Sequence, residues 1–419
     1  MKQLKRMRHR GLAALGAATF AAVGLAQVGT ASASNITITV ENYFNTPGQL
    51  SALATYNKQF EAAHPGVTVN QDYVPFADLD TKLLTQAAGH DLPTVLAVDN
   101  PFVPTMITTG ETVPLNGFSG FSAQGYYPAV IDEGLMNGKY YSYPLGANSI
   151  ALIYNIQMLN AAHVMPPTTW AQLVTAAKAL TNSQHYGIGV SAPATEEATW
   201  QFEPFLWSNG GAFSSIAGAA GVQALTLWKT LIDDGSMPKA VLTWGQSPAL
   251  SSQFEAGKLA MMVNGPWNFS SLNLAHMYYG KQFGIVPIPV RVPGQHVVVP
   301  LGGEDWMISD SGNTATQQMA FQYLNGMQTP SQELTIAKSF GYLPGKEAVA
   351  KTYLTQVGVS WSVFVNQTLY AHPRTLGLGV KYPKISEAVW TAIQAALSGT
   401  SSVQSALSTA QSTIKSIMG

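Results

Sequence analysis

Beyond residue 34 the chain switches between two spacings of apolar residues, one of period two and one near 3.6. Ile36, Ile38 and Val40 alternate with Thr37 and Thr39, the pattern of a strand with one buried face, and Glu41, Asn42 and Tyr43 stand at its end. Leu50, Leu53, Ala54, Tyr56 and Phe60 then recur at helical spacing until His64-Pro65-Gly66 stops the helix, and Val67-Thr68-Val69 resumes strand alternation. Thr94 to Val98 is another apolar run, closed by Asp99-Asn100-Pro101. This order of strand, helix, strand, helix, strand predicts a parallel sheet joined by right-handed crossovers.

A second α/β unit follows. Tyr140 to Asn155 reads as extended chain, and the small residues between Leu145 and Asn148 mark a crossing between domains. Thr169 with Gln172 three residues later is a capping box opening a helix to Leu180. The run Leu259 to Val263 is long enough for one buried strand and breaks at Asn264-Gly265-Pro266. Trp267 is therefore expected on a loop at a strand's carboxyl end, where open α/β sheets bind ligands. Ile285 to Ile288 predicts a further strand, Leu301 to Trp306 a glycine-paired turn with two acids, and Glu387 to Leu397 and Val403 to Ile417 two late helices.

Composition narrows the class. Lys2, Lys5, Arg6, Arg8 and Arg10 precede an apolar run from Gly11 to about Val28 and a small-residue exit at Ala31-Ser32-Ala33, which predicts a secretory signal cleaved near Ala33. Without residues 1–33 the charge is near −6, 16 basic against 22 acidic side chains, which argues against nucleic acid as a partner. With no Cys, the chain has no disulfide, thiolate metal site, cysteine nucleophile or lipid-anchoring cysteine. The remaining length suits two domains. No cofactor is expected: there is no G-x-S-x-G elbow, no H-E-x-x-H pair and no phosphate-cradling loop.

The candidate chemistry lies at strand ends. An indole beyond a glycine-proline break suits stacking on the C–H face of a sugar ring, and Gly302 and Gly303 let backbone approach a polyhydroxylated ligand. Sugar hydroxyls donate and accept at once, so carboxylates and amides complement them. Glu304 and Asp305 are costly to bury unless something answers them. A secreted glycoside hydrolase using Glu203 and Glu304 as acid and nucleophile is the enzyme alternative.

Several of these segments together resemble the extracellular solute-binding proteins of ABC importers, family 1, the group that includes maltose-binding proteins. They are Phe60 to Val69, Tyr143 to Asn155, Pro166 to Leu173, Phe254 to Trp267, Gly302-Gly303-Glu304 and the tail from Tyr382. The resemblance implies an α/β, two-lobed, class II-like periplasmic-binding-protein fold. Each lobe would be a mixed, mainly parallel sheet flanked by helices, with a ligand cleft at a hinge crossed near Asn148, Gly303 and Leu343. The implied lobes are 34–147 with 302–344, and 148–301 with 345–419. By position it implies ligand contacts from Glu41, Asn42, Tyr43, Asp99, Asn100, Asn148, Glu203, Phe205, Trp267, Gly303, Glu304 and Trp306, with Glu203-Pro204-Phe205 as an acid-proline-aromatic turn. Arg374 matches an arginine that contacts ligand in some glycerol-phosphate-binding relatives, so a polyol-phosphate receptor is the second reading. The implied partners are a di- or oligosaccharide and an importer's permease, and the implied state is an exported monomer.

Overall fold

In the computed structural model of the protein, residues 35–310, 313–358, 361–368 and 371–419 are described. The export segment expected within residues 1–33 lies outside them. The first sheet starts as the apolar alternation predicts. Strand β1 (Ile36–Asn42), helix α1 (Pro47–Ala63), strand β2 (Val67–Tyr73), helix α2 (Phe76–Ala88) and strand β3 (Val95–Asp99) follow in order, with β1 parallel to both other strands. Helix α1 opens with Pro47 in its first turn behind a Thr46/Gln49 capping box and ends at His64.

Strand β4 (Ser142–Pro144) leads out of this sheet, and a second sheet is built from β5 (Ala151–Asn155), β6 (Met261–Asn264) and β7 (Phe283–Val286). Between β5 and β6 lie helices α3 (Trp170–Ala179), α4 (Glu196–Ser208) and α5 (Ala219–Asp233). The box at Thr169 and Gln172 opens α3 as expected. Strand β8 (Glu304–Ile308) then returns to the first sheet and sits between β3 and β4, antiparallel to both, giving the order β2-β1-β3-β8-β4. Helices α6 (Thr314–Met327), α7 (Pro330–Phe340) and α8 (Glu347–Gln356) follow, and α9 (Tyr382–Ser398) and α10 (Val403–Met418) close the chain.

Within the two larger sheets, parallel pairing dominates in β2-β1-β3. In the second sheet β5 runs against both β6 and β7, and isolated parallel bridges such as Tyr186–Leu259, Gly189–Met262 and Tyr279–Phe283 flank them. Each sheet has its own apolar core. Trp306 and Ile308 of β8 pack with Ile38, Val40, Val95 and Ala97, whereas Met307 turns to the opposite face with Leu83, Leu96 and Val98. In the second body Trp228 is fully buried, with Phe202 and Phe205 meeting it edge-on at 5.5 and 5.6 Å.

Three chain segments meet between the sheets. Ala147 and Leu343 exchange backbone hydrogen bonds of 2.9 and 2.7 Å, and Asn148 and Gly302 exchange bonds of 2.8 and 3.0 Å. A Cβ on Gly302 would lie 2.2 Å from Asn148 Oδ1 and 2.3 Å from the Trp200 ring, so only glycine permits this approach.

Candidate functional site

A cavity of about 270 Å³ opens beside these segments, with walls from both sheets' bodies. Tyr43, which follows β1, and Tyr73 and Phe76, from the β2–α2 corner, line one side, and Tyr342, just past α7, adds a fourth ring. Trp200 of α4 and Trp267, in the short turn after β6, line the other. Amides of Asn45, Gln49, Asn148 and Gln246 and carboxylates of Asp99, Glu196, Glu197 and Glu304 complete the lining with Arg374.

Register explains the acids of the first body. Glu304 of β8 sits directly opposite Asp99 of β3 in an antiparallel pair, at the end of the sheet that faces the cavity. The Tyr43 hydroxyl donates to Glu304 Oε1, and the Tyr342 hydroxyl also hydrogen-bonds this carboxyl. Burial first, and then the Asp99 charge, push the Glu304 carboxyl up to about 7. Across the cavity, Glu197 at the start of α4 accepts from the Gln246 backbone N–H at 3.2 Å, and burial raises it to about 7.

Arg374 ties the two sides together. Its Nη1 donates to Asp99 at 3.1 Å and to Glu196 at 2.9 Å, its Nη2 to Asp99 at 2.6 Å and to Asn100, and its Nε to the Leu301 carbonyl at 3.4 Å. A guanidinium has five N–H donors. All five are taken by protein acceptors. The same group lies 4.7 Å over the Trp200 ring, whose indole N–H donates to Gln246 Oε1 at 3.1 Å. Burial works against the arginine's charge, but Asp99, Tyr382 and Glu196 outweigh it and hold the guanidinium firmly protonated.

Of the expected ligand contacts, Tyr43, Asp99, Asn148, Trp267, Gly303, Glu304 and Arg374 line this cavity. Six others do not. Glu41 turns to the opposite face of β1, where Lys82 pairs with it at 2.8 Å, and Asn42 accepts from the Phe44 N–H and donates to Gln71. Asn100 is spent on Arg374. Glu203-Pro204-Phe205 is no turn but the middle of α4. There Phe205 packs on Trp228, and the buried Glu203 accepts from the Tyr382 hydroxyl at 2.8 Å, with burial holding its carboxyl well above the usual range. Trp306 is fully buried, one strand repeat deeper than Glu304 on the same face, edge-on to Phe44 at 5.8 Å. Leu301 to Trp306 is therefore not a turn facing the cleft, and only its first part reaches the cavity. Asp305 points to the other face, where Ser142 donates to it at 2.6 Å.

Residues that the sequence left unmarked supply much of the wall. Glu196, Glu197 and Trp200 share one face of the first turns of α4. Two acids in a first helical turn read equally well as a complement to the helix dipole, which hid their role. Gln246 opens a single π-helical turn (Gln246–Leu250) and Tyr342 lies just past α7, neither with a periodic signal. Trp267 keeps its position because Gly265 has no side chain: a Cβ there would fall 2.0 Å from the indole ring.

Two α/β bodies joined by short crossing segments, with one cavity between them lined from both, define a class of ligand-capturing rather than scaffold proteins. Residues 55–358 match the sequence profile of the bacterial extracellular solute-binding proteins, and the chain belongs to that family. Among curated relatives, a putative binding protein of Brucella abortus is 25% identical over 338 residues, covering 78% of this chain and 80% of that protein. The multiple sugar-binding protein of Streptococcus mutans is 23% identical over 351 residues, covering 78% and 80%. Among solved structures, maltose-bound MalE3 of T. maritima superposes with a TM-score of 0.81 at 21% identity, covering 90% of this chain and 99% of that one. The cyclic alpha-maltosyl-1,6-maltose binding protein of Arthrobacter globiformis gives a TM-score of 0.70 at 25% identity, covering 92% and 99%. The family is extracellular, so the protein is exported, and its members are binding proteins.

Proposed function

We propose that this protein is the carbohydrate receptor of an ABC importer, capturing a di- or oligosaccharide between two lobes and delivering it to the permease. The supporting observation is the cavity itself, where Trp200 and Trp267 from one body oppose Tyr43, Phe76 and Tyr342 from the other, with amides and carboxylates between them. Aromatic faces suit sugar C–H surfaces, and each stacked ring contributes on the order of 0.5–1.5 kcal/mol beyond its burial. The volume of about 270 Å³ sits near the small end of ligand pockets and suits a short saccharide. Relatives named for sugar binding, in Streptococcus mutans and Arthrobacter globiformis, point the same way.

A bound sugar touching both walls favours the closed state by its differential affinity, and the crossings at Asn148, Gly302 and Leu343 serve as the hinge. We assign residues 34–147 and 302–344 to one lobe and most of 148–301 and 345–419 to the other. Gly345 to Glu347 belong with the first, because they pair with Gly125 to Tyr127 through the backbone. The exported chain is cleaved near Ala33, carries no lipid-anchor cysteine and acts as a monomer.

The polyol-phosphate reading loses its anchor, since Arg374 has no donor left for a phosphate and four carboxylates surround the cavity. The hydrolase reading loses its pair, since Glu203 is spent on Tyr382 away from the cavity lining. Calorimetric titration with a sugar panel tests the proposal, with saturable binding expected and no release of reducing ends. Turnover of an oligosaccharide would shift the reading to a hydrolase, and a panel without any binding would remove it.

A further inference from the structure

The cavity gathers more acidic side chains than its protein surroundings answer. Asp99, Glu196, Glu197 and Glu304 line it, and among the lining residues the sole cation is Arg374, already saturated by Asp99, Glu196, Asn100 and the Leu301 carbonyl. One guanidinium stands among four carboxyl groups, and Glu197 and Glu304, which burial keeps protonated up to about pH 7, ionise fully only where a cation meets them. Glu304 is only 7% exposed, and its carboxyl is answered by the Tyr43 and Tyr342 hydroxyls but by no ion pair among the described residues. A neutral hydroxyl can donate to such a carboxylate but brings no charge to balance it, whereas an ammonium does both. Trp200 already carries Arg374 over its ring, but Trp267 stands in the same wall and its face attracts cations as well as sugar C–H surfaces.

We infer that the cavity selects a carbohydrate bearing a protonated amine, an amino sugar or a short oligosaccharide of one, over neutral and anionic sugars. This rests on the sugar-binding reading and narrows it to a ligand class. The amine is the discriminating group because its ammonium takes the place of a proton on Glu197 or Glu304, the two acids not engaged by Arg374.

Glucosamine and its β-linked dimer and trimer are titrated calorimetrically beside their N-acetylated counterparts, and beside maltose, maltotriose and cellobiose. At least one amine ligand is expected to bind tenfold or more tightly than its N-acetylated partner and than every neutral sugar. That ratio should shrink to threefold or less in Glu304→Gln or, if that variant does not fold, in Glu197→Gln. Equal or tighter binding of the neutral sugars overturns the inference and leaves the sugar receptor standing, as does an amine preference that both variants retain. Silence from the amine ligands overturns it as well, and silence from every sugar removes the sugar reading with it.

Discussion

Glu304 and Trp306 stand two positions apart on one strand face, yet one borders the cavity and the other fills the core. The reason is depth along β8, set by the pairing of Glu304 with Asp99 and of Trp306 with Ala97, which a single strand's sequence does not encode. The same holds for Arg374, whose acceptors come from positions 99, 100, 196 and 301. Trp267 was legible because its signal is local, an apolar run ended by glycine and proline. At this scale, Trp267→Ala should weaken sugar binding more than tenfold in calorimetry without shifting the urea midpoint to match. Gly265→Ala should also lower affinity, because its methyl group would displace the indole without altering any group that meets the ligand.

The buried acids give a signed pH prediction. Glu133, Glu197 and Glu304 are raised to about 7 and Asp305 to about 8, in each case chiefly by burial. The folded state therefore holds protons that the unfolded chain has released, so the stability these groups contribute is full below the ordinary carboxylate range. It is lost as pH rises through about 7 to 8. Glu133, Glu197 and Glu304 each account for up to roughly 3 kcal/mol and Asp305 for up to roughly 6 kcal/mol over that span. Thermal unfolding should thus show a higher midpoint at pH 5 than at pH 8, and Glu304→Gln should flatten the slope.

Among the elements, β1, α1, β2, β3 and α3 appear where period and caps predicted them, since those signals lie within the element itself. The turn expected at Glu203-Pro204-Phe205 fails because Pro204 sits inside α4, held there by packing of Phe202 and Phe205 on Trp228. Thr169→Ala removes half of the box that opens α3 and should cost about 1 kcal/mol in urea denaturation. The short strand His372–Pro373 pairs in parallel with Pro300–Leu301 and so delivers Arg374 to Asp99 and Glu196. Arg374→Met would leave those carboxylates buried without their cation, at a cost of about 3–5 kcal/mol in equilibrium unfolding.

At the scale of the whole molecule, two cores with separate apolar interiors are joined where Ala147 meets Leu343 and Asn148 meets Gly302, and the cavity opens beside that junction. The two-body plan was legible from the order of elements and from the small residues at the crossings. The chemistry of the wall was only half legible, because α4 and the short helical turn at Gln246 reach the cavity through packing rather than through motif. The central claim is that a carbohydrate binds between these bodies and is held by rings from the second. Calorimetric titration of the wild type and of a Trp200→Ala, Trp267→Ala double variant with the same sugar panel tests it most directly. The account predicts saturable one-to-one binding by the wild type that falls at least a hundredfold in the folded double variant; an affinity unchanged by loss of both rings would contradict it.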